Sequence, residues 1–359
     1  MRRYHYMNET IDLEPRQKAI LTLLAQNDQL SREQIATKLV LTYPASKATL
    51  IRDLSVLISR NLILVLGNGP SSSYKTKFFH PLVKPIDLAQ YFSLDPDQRK
   101  NAKTIFNFEI FNKLTGNIVF SEERNSIAAK FRSFNKTINE LDTTLRQKEL
   151  ERFMIELSWK SSKIEGNTYS LLETEALIEQ NQEAKGKTKQ ETTMILNHKD
   201  AFKIIVDNRN EFKILSLSVI MELHNSLTKE LSITSGIRKQ AVGITGTTYK
   251  PLDNEWQIKE ALEKLIQIVN TVNYPLEKAL ITASMLSYIQ PFTDGNKRTS
   301  RMLANAILMA YDYFPLSYRS IDENKYKEAL ILFYETNNLY FIKQLFLEQY
   351  FFAINTYFL

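Results

Sequence analysis

The stretch Tyr288-Ile-Gln-Pro-Phe-Thr-Asp-Gly-Asn-Lys-Arg-Thr-Ser-Arg301 gathers the groups needed to hold a polyphosphate. Lys297, Arg298 and Arg301 supply closely spaced cations, and Asp294 is a carboxylate that can share a divalent cation with phosphate oxygens. Apolar spacing at Leu276, Ala279, Leu280, Ala283 and Leu286 predicts a helix over 275–289. Ala304, Ile307, Leu308 and Tyr311 predict a second helix, starting near Asn296 or Lys297. The Asp294-Gly295-Asn296 turn between them would aim backbone N–H groups and the positive end of a helix dipole at one spot, which is an anion site. It is not a Walker loop, because Gly-x-x-x-x-Gly-Lys-Ser/Thr does not occur.

This stretch resembles the signature of the Fic family, His-Pro-Phe-x-Asp/Glu-Gly-Asn-Gly/Lys-Arg-x-x-Arg, at Pro291, Phe292, Asp294, Gly295, Asn296, Lys297, Arg298 and Arg301. The resemblance implies Mg2+ at Asp294, a phosphate cradle at Gly295, Asn296 and Lys297, and both arginines on the polyphosphate. It implies ATP as co-substrate or ligand, and transfer of AMP from ATP to a hydroxyl of a protein target. One position departs: Gln290 stands where the signature has His. An amide has no protonated and neutral pair near pH 7, so it cannot take the proton of the attacking hydroxyl. Loss of a general base costs about 10²–10⁴-fold in rate, roughly 3–5 kcal/mol of barrier. Gln290 could still orient a nucleophile, as Gln orients water in some GTPases. Phosphate positioning and charge stabilisation would survive, so nucleotide binding should outlast turnover.

Ser161-Ser-Lys-Ile-Glu165-Gly166-Asn167 resembles the inhibitory motif upstream of many Fic cores, whose Glu pairs with the second signature arginine, here Arg301, and excludes the γ-phosphate. The alternative is a surface carboxylate on a helix. Gly236-Ile-Arg238 followed by Val242–Pro251 reads as a β-hairpin turning at Gly246 and resembles the family's flap, with Thr245, Gly246, Thr247 and Thr248 at its tip to hold a target segment by strand addition. A plain surface hairpin would read the same way. Tyr326-Lys-Glu-Ala-Leu330 resembles the late helix that closes the core, and the resemblance covers about residues 146–350. His224 is a conceivable stand-in base, but a helix histidine of this kind more often makes a core hydrogen bond.

The remaining chain must position these groups. Its 359 residues suggest two or three domains, and 43% hydrophobic with 24% charged residues is ordinary for a globular protein. With no Cys, disulfides, Cys-ligated zinc and thiol catalysis are excluded, and the four histidines (His5, His80, His198, His224) make a His-rich metal site improbable. No long uncharged apolar run occurs and Met1–Thr10 does not read as a signal peptide, so a cytoplasmic protein without membrane contact is expected. The formal charge of +6 is uneven: residues 1–85 hold twelve Lys/Arg against six Asp/Glu, and the remainder is neutral.

That basic segment patterns as three helices and a hairpin. The helices are Pro15–Ala25, with Ile20, Leu23 and Leu24 on one stripe; Ser31 to about Leu39, opened by a Ser31-Arg-Glu-Gln34 capping box; and Lys47–Arg60, with Leu50, Leu54, Leu57 and Ile58 inward. Leu62–Leu66 and Ser73–Phe79 are predicted strands around Gly67-Asn-Gly-Pro70. The succession resembles a winged helix-turn-helix, in which Lys47, Thr49 and Arg52 would reach base edges of DNA and Lys75 and Lys77 would meet phosphates. Use of the same module for protein docking or homodimer formation is the alternative. From Pro85 the chain reads as a connector, and 97–145 as polar and mostly helical, with Phe106, Phe108 and Phe111 but no readable motif.

The expected fold is mainly α: a winged helix-turn-helix over 1–85, a helical connector over 86–145, and a Fic helical bundle with a β-hairpin flap over 146–359. The expected function is an adenylyltransferase autoinhibited by Glu165 and weakened at Gln290. A DNA-binding regulator whose core only senses nucleotide is the alternative, and a hydrolase of AMP–protein links using Glu165 as base is a third.

Overall fold

A computed structural model describes residues 13–358 except 28, 61, 78, 79, 85, 87, 100, 101, 116 and 141. The readings of Met1–Thr10, His5, Phe79 and Pro85 lie outside the described residues. The chain divides into two compact units, Met1–Tyr91 and Phe92–Leu359.

In the first unit, α1 (Pro15–Gln26) starts on a proline, and α2 (Arg32–Leu39) follows a capping box in which the Ser31 side chain accepts from Gln34 N–H. α3 (Lys47–Ser59) is capped by Ser46. Strands β1 (Leu30–Ser31), β2 (Ile63–Leu66) and β3 (Ser73–Thr76) form an antiparallel sheet in the order β1-β3-β2. Ile20, Leu24, Ile35, Leu50, Leu54, Leu57 and Ile63 build its core. Two details differ from the sequence reading. Ile58 is 40% exposed, and Asp53 is buried on α3 beside the leucines, where it takes an ion pair from Arg16 and a hydrogen bond from Gln17. A polar residue at an inward position was invisible to apolar spacing. Strand β1 was also not anticipated, being two residues long.

The second unit is helical. A short α4 (Leu88–Phe92) lies at the boundary, followed by α5 (Ser121–Glu140), α6 (Thr143–Ile164), α7 (Leu171–Gln180), α8 (Lys189–Asp207), α9 (Leu217–Thr228) and α10 (Glu255–Thr271). Then come α11 (Pro275–Ile289), α12 (Asn296–Ala310), α13 (Glu323–Thr336) and α14 (Tyr340–Ile354). α11 and α12 pack mainly on each other, and α12 also touches α6, α8 and α9. Every residue from Leu276 to Ile289 is buried, as is every α12 residue except Lys297. A helix pair apolar on one face only would not tolerate this. Several of its polar side chains bond internally: Thr282 and Ser284 donate to carbonyls four residues back, and Asn305 bonds the Leu316 backbone both ways.

The described residues within 99–120 are less helical than expected, with a 3₁₀ segment at Phe108–Lys113 before α5 begins. Their aromatic side chains have tertiary work. Phe106 stacks on Tyr288 with centroids 4.6 Å apart, and Asn107 N–H donates to the Tyr288 hydroxyl. Ile105 bridges to Lys250. The 236–251 segment turns at Gly246 (φ 87°) as read, but its two arms do not pair as a ladder. Their backbone groups are held elsewhere: Arg238 N–H donates to the Pro291 carbonyl and Lys250 N–H to the Thr104 carbonyl. The flap is thus an anchored loop, not a hairpin.

Leu303 sits fully buried at the centre of α12. Leu303→Ala should destabilise the protein by about 2–5 kcal/mol in chemical denaturation, because a cavity there cannot fill with water-exposed neighbours. A loss below 1 kcal/mol would contradict this packing.

Candidate functional site

α11 stops at Gln290, which takes a left-handed backbone with φ 51° while its N–H still reaches the Leu286 carbonyl. The chain re-enters helix after Gly295, the N-cap of α12 at φ 80°. A Cβ there would lie 2.8 Å from Thr228 Cγ2 and 3.4 Å from His224 Nε2, so only glycine fits. Asn296 closes the turn: its Oδ1 accepts from Phe292 N–H and its Nδ2 donates to the Phe292 carbonyl, each at 2.8 Å. The first helical bond back to the turn is Thr299 N–H to the Gly295 carbonyl, which leaves the first-turn N–H groups of α12 without helical partners. What this turn can offer a phosphate is therefore backbone, with the Asn296 side chain serving as its clasp. His224 stacks on Phe292 at 3.6 Å and donates from Nε2 to the Asp294 carbonyl at 3.0 Å. Burial holds its pKa below the usual histidine value, and its role is to brace the turn.

The charged side chains diverge from this turn. Asp294 accepts from Gly295 N–H at 2.6 Å, and its side chain is 70% exposed. Arg298 is buried, reaching the Leu227 carbonyl and, at 3.4 Å, Asp294. Arg301 has no exposed surface. Its NH1 meets Glu165 Oε1 at 2.9 Å, its Nε the Ser161 hydroxyl at 3.0 Å and its NH2 the Ser161 carbonyl at 2.8 Å. Lys297 Nζ is 3.9 Å from the other Glu165 oxygen.

Glu165 reaches this place because α6 ends there. It is the C-cap, and Gly166 follows with φ 97°. Gly166 N–H bonds the Lys163 carbonyl and Asn167 N–H the Ser162 carbonyl, the paired bonds of a Schellman stop. Burial alone would raise the Glu165 pKa; Arg301, Lys297 and Arg298 outweigh it and hold the carboxyl below the ordinary range. The same carboxylate, against burial, raises the Arg301 pKa, whereas burial lowers that of Arg298.

Gln290 is buried, and its amide Nε2 donates to the Ser287 carbonyl at 2.7 Å, so the side chain folds back on its own helix. Its backbone carbonyl accepts from Arg238 Nε at 2.6 Å. In the flap segment, Thr245 and Gly246 are exposed, Thr248 is half-buried, and Thr247 donates to Glu335 at 2.6 Å. Arg99 pairs with the same buried Glu335, and the Tyr249 hydroxyl donates to the Tyr288 carbonyl. In the first unit Lys47 and Arg52 are exposed on α3, Thr49 is half-buried beside its Ser46 cap, Lys77 is exposed and Lys75 half-buried.

Motif reading passed over His198, which bonds Ser161, and Glu335, which gathers Arg99 and Thr247. Neither lies near a motif in sequence, and no local pattern marks them. Among the described residues no group of three or more His, Cys, Asp or Glu gathers as a metal site, and no helix is long and apolar enough to cross a membrane.

Residues 214–308 match the model of the Fic/DOC family. The chain is 30% identical over 176 residues to the protein adenylyltransferase Fic of Nematostella vectensis, spanning 48% of this chain and 41% of that protein. It is 28% identical over 207 residues to the Culex quinquefasciatus protein of the same name, spanning 56% and 41%. The chain thus spans about two fifths of the length of these curated relatives. Among solved structures, Fic-1 of C. elegans superposes with a TM-score of 0.57 at 22% identity, over 66% of this chain and 72% of that one. A Fic family protein from Desulfovibrio desulfuricans G20 gives 0.55 at 18%, over 67% and 75%. These two likenesses are of fold. The chain carries a Fic/DOC family domain, and its relatives bear the name protein adenylyltransferase.

A carboxyl held below its ordinary pKa near 4.5 stabilises the fold above that value, and the contribution is lost as pH falls through the lowered folded pKa. The melting temperature of the native protein should therefore fall more steeply on acidification below about pH 4.5 than that of Glu165→Gln. Parallel curves would contradict the ion pair.

Proposed function

We propose that this chain is a Fic-type protein adenylyltransferase held off by Glu165 and slowed at Gln290. The observation that carries the reading is the fully buried Arg301, gripped by Glu165 beside the amino-terminal end of α12. Free N–H groups, the helix dipole, Lys297, Arg298 and Arg301 suit the phosphates of ATP. A carboxylate on Arg301 competes with the γ-phosphate for the same donors. In the reaction, a target hydroxyl oxygen forms a bond to the α-phosphorus and the bond to pyrophosphate breaks, while the hydroxyl proton must leave. Gln290 has no means of taking that proton, and its amide already donates one hydrogen to the Ser287 carbonyl. Asp294 would hold Mg2+, which supplies charge between phosphate oxygens when bound. A single exposed carboxylate fits an ion that keeps most of its ligands as water and phosphate. Thr245, Gly246, Thr247 and Thr248 would line the approach of the target segment.

With labelled ATP and Mg2+, the native protein should label itself and added protein weakly, and Gln290→His with Glu165→Gly should raise labelling by about 10²-fold or more. Native labelling as fast as the double variant would overturn the reading of Gln290.

A second reading concerns the first unit. Its basic surplus and its helices with a small antiparallel sheet favour a winged helix-turn-helix that docks α3 on DNA, with Lys47, Thr49 and Arg52 toward the bases and Lys75 and Lys77 toward phosphates. A homodimer would then read paired half-sites. The affinity for duplex DNA should fall steeply with salt, and Lys75→Ala with Lys77→Ala should reduce the slope by about 2. Equal binding by a chain lacking residues 1–85 would remove this assignment.

A further inference from the structure

We propose that His198 is a positioning residue for the Arg301–Glu165 pair, acting through the Ser161 hydroxyl; the inference rests on the nucleotide reading of this site. His198 lies on α8 and has no exposed surface. Its Nδ1 is 2.8 Å from the Met194 carbonyl, which can only accept, and 3.3 Å from the Ser162 hydroxyl, which can accept as well, so the ring proton sits on Nδ1. Nε2 is then an acceptor, and the Ser161 hydroxyl 2.9 Å away must donate to it. With its proton so committed, Ser161 Oγ presents a lone pair to Arg301 Nε at 3.0 Å. The fork of Arg301 is thereby fixed at Nε and NH2 by Ser161, and its remaining arm, NH1, is aimed at Glu165. Burial pushes the His198 pKa down to about 3, so the ring stays neutral and keeps this tautomer across the ordinary pH range.

The polar line therefore runs from α8 through α6 to α12: His198, Ser161, Arg301, Glu165. Remove the acceptor and the Ser161 proton can turn elsewhere, including into the space that Arg301 Nε needs. The carboxylate would then hold Arg301 less well against a competing γ-phosphate. A histidine that merely fills the core would, when replaced, weaken binding of all nucleotides alike. A positioning role predicts a change specific to the third phosphate, and only while Glu165 is present.

The test is calorimetric titration with ATP and with ADP, each with Mg2+, of the full chain carrying His198→Phe or Ser161→Ala, in the native and Glu165→Gly backgrounds. Ser161→Ala removes the Ser161 Oγ bonds with His198 and Arg301 while the His198 ring and its Nδ1 bond stay in place on α8, so a folding defect in His198→Phe leaves the inference testable. Either variant should raise the preference for ATP over ADP by about three- to tenfold in the native background, and leave it unchanged with Glu165→Gly. Equal losses for both nucleotides, an unchanged preference, or the same rise without Glu165 would each overturn the role of His198. If Glu165→Gly binds ATP normally, such a failure touches this inference alone. Should Glu165→Gly take up no ATP, the nucleotide reading falls and this inference with it.

Discussion

A guanidinium with no contact with water must be neutralised where it lies, and Arg301 imposes that constraint on everything around it. Its charge is met by Glu165 and its Nε and NH2 by Ser161, both from the carboxyl-terminal end of α6. Removal of a buried partner typically costs about 3–5 kcal/mol, since a charge is then left unpaired. On the proposed reading an anion of the right shape would take the place of the carboxylate, received by the adjacent amino terminus of α12. Inhibition and ligand binding are on this account two occupancies of one cation.

The supports of that cation follow from simple requirements. α6 must stop at Glu165, and Gly166 with Asn167 supplies the stop. The turn before α12 must be tight, and Gly295 passes Thr228 and His224 where a side chain could not. Asn296 and His224 then keep the turn from opening. On the far side of the turn, Arg238 ties the Gln290 and Pro291 carbonyls to the flap segment, and Tyr249 ties the flap to Tyr288. The end of α11, with Gln290 at its tip, is thus fixed from outside.

Much of this was legible in the sequence, and the reasons are local. Dense spacing from Pro291 to Arg301 betrayed the turn and both flanking helices, whose limits at Ile289 and Asn296 fell where apolar period and glycine placed them. The pairing of Glu165 with Arg301 was expected from the resemblance of residues 161–167 to the family's inhibitory motif, and the two side chains do meet. What was hidden depended on long-range contact. The flap alternates like a hairpin, yet its backbone groups bond to Pro291 and Thr104 and its arms stay unpaired. Phe106 lacked a motif because its partner, Tyr288, lies far along the chain. His198 and Glu335 carry no local sign of their role, since each is defined by the elements folded against it.

The most direct check is a crystal structure of Glu165→Gly grown with Mg2+ and a non-hydrolysable ATP analogue. On this account Arg301 NH1 lies within hydrogen-bond reach of the γ-phosphate, and the other phosphates sit against the first-turn N–H groups of α12. A bound analogue whose phosphates lie away from that turn, with Arg301 touching only Ser161, would contradict it.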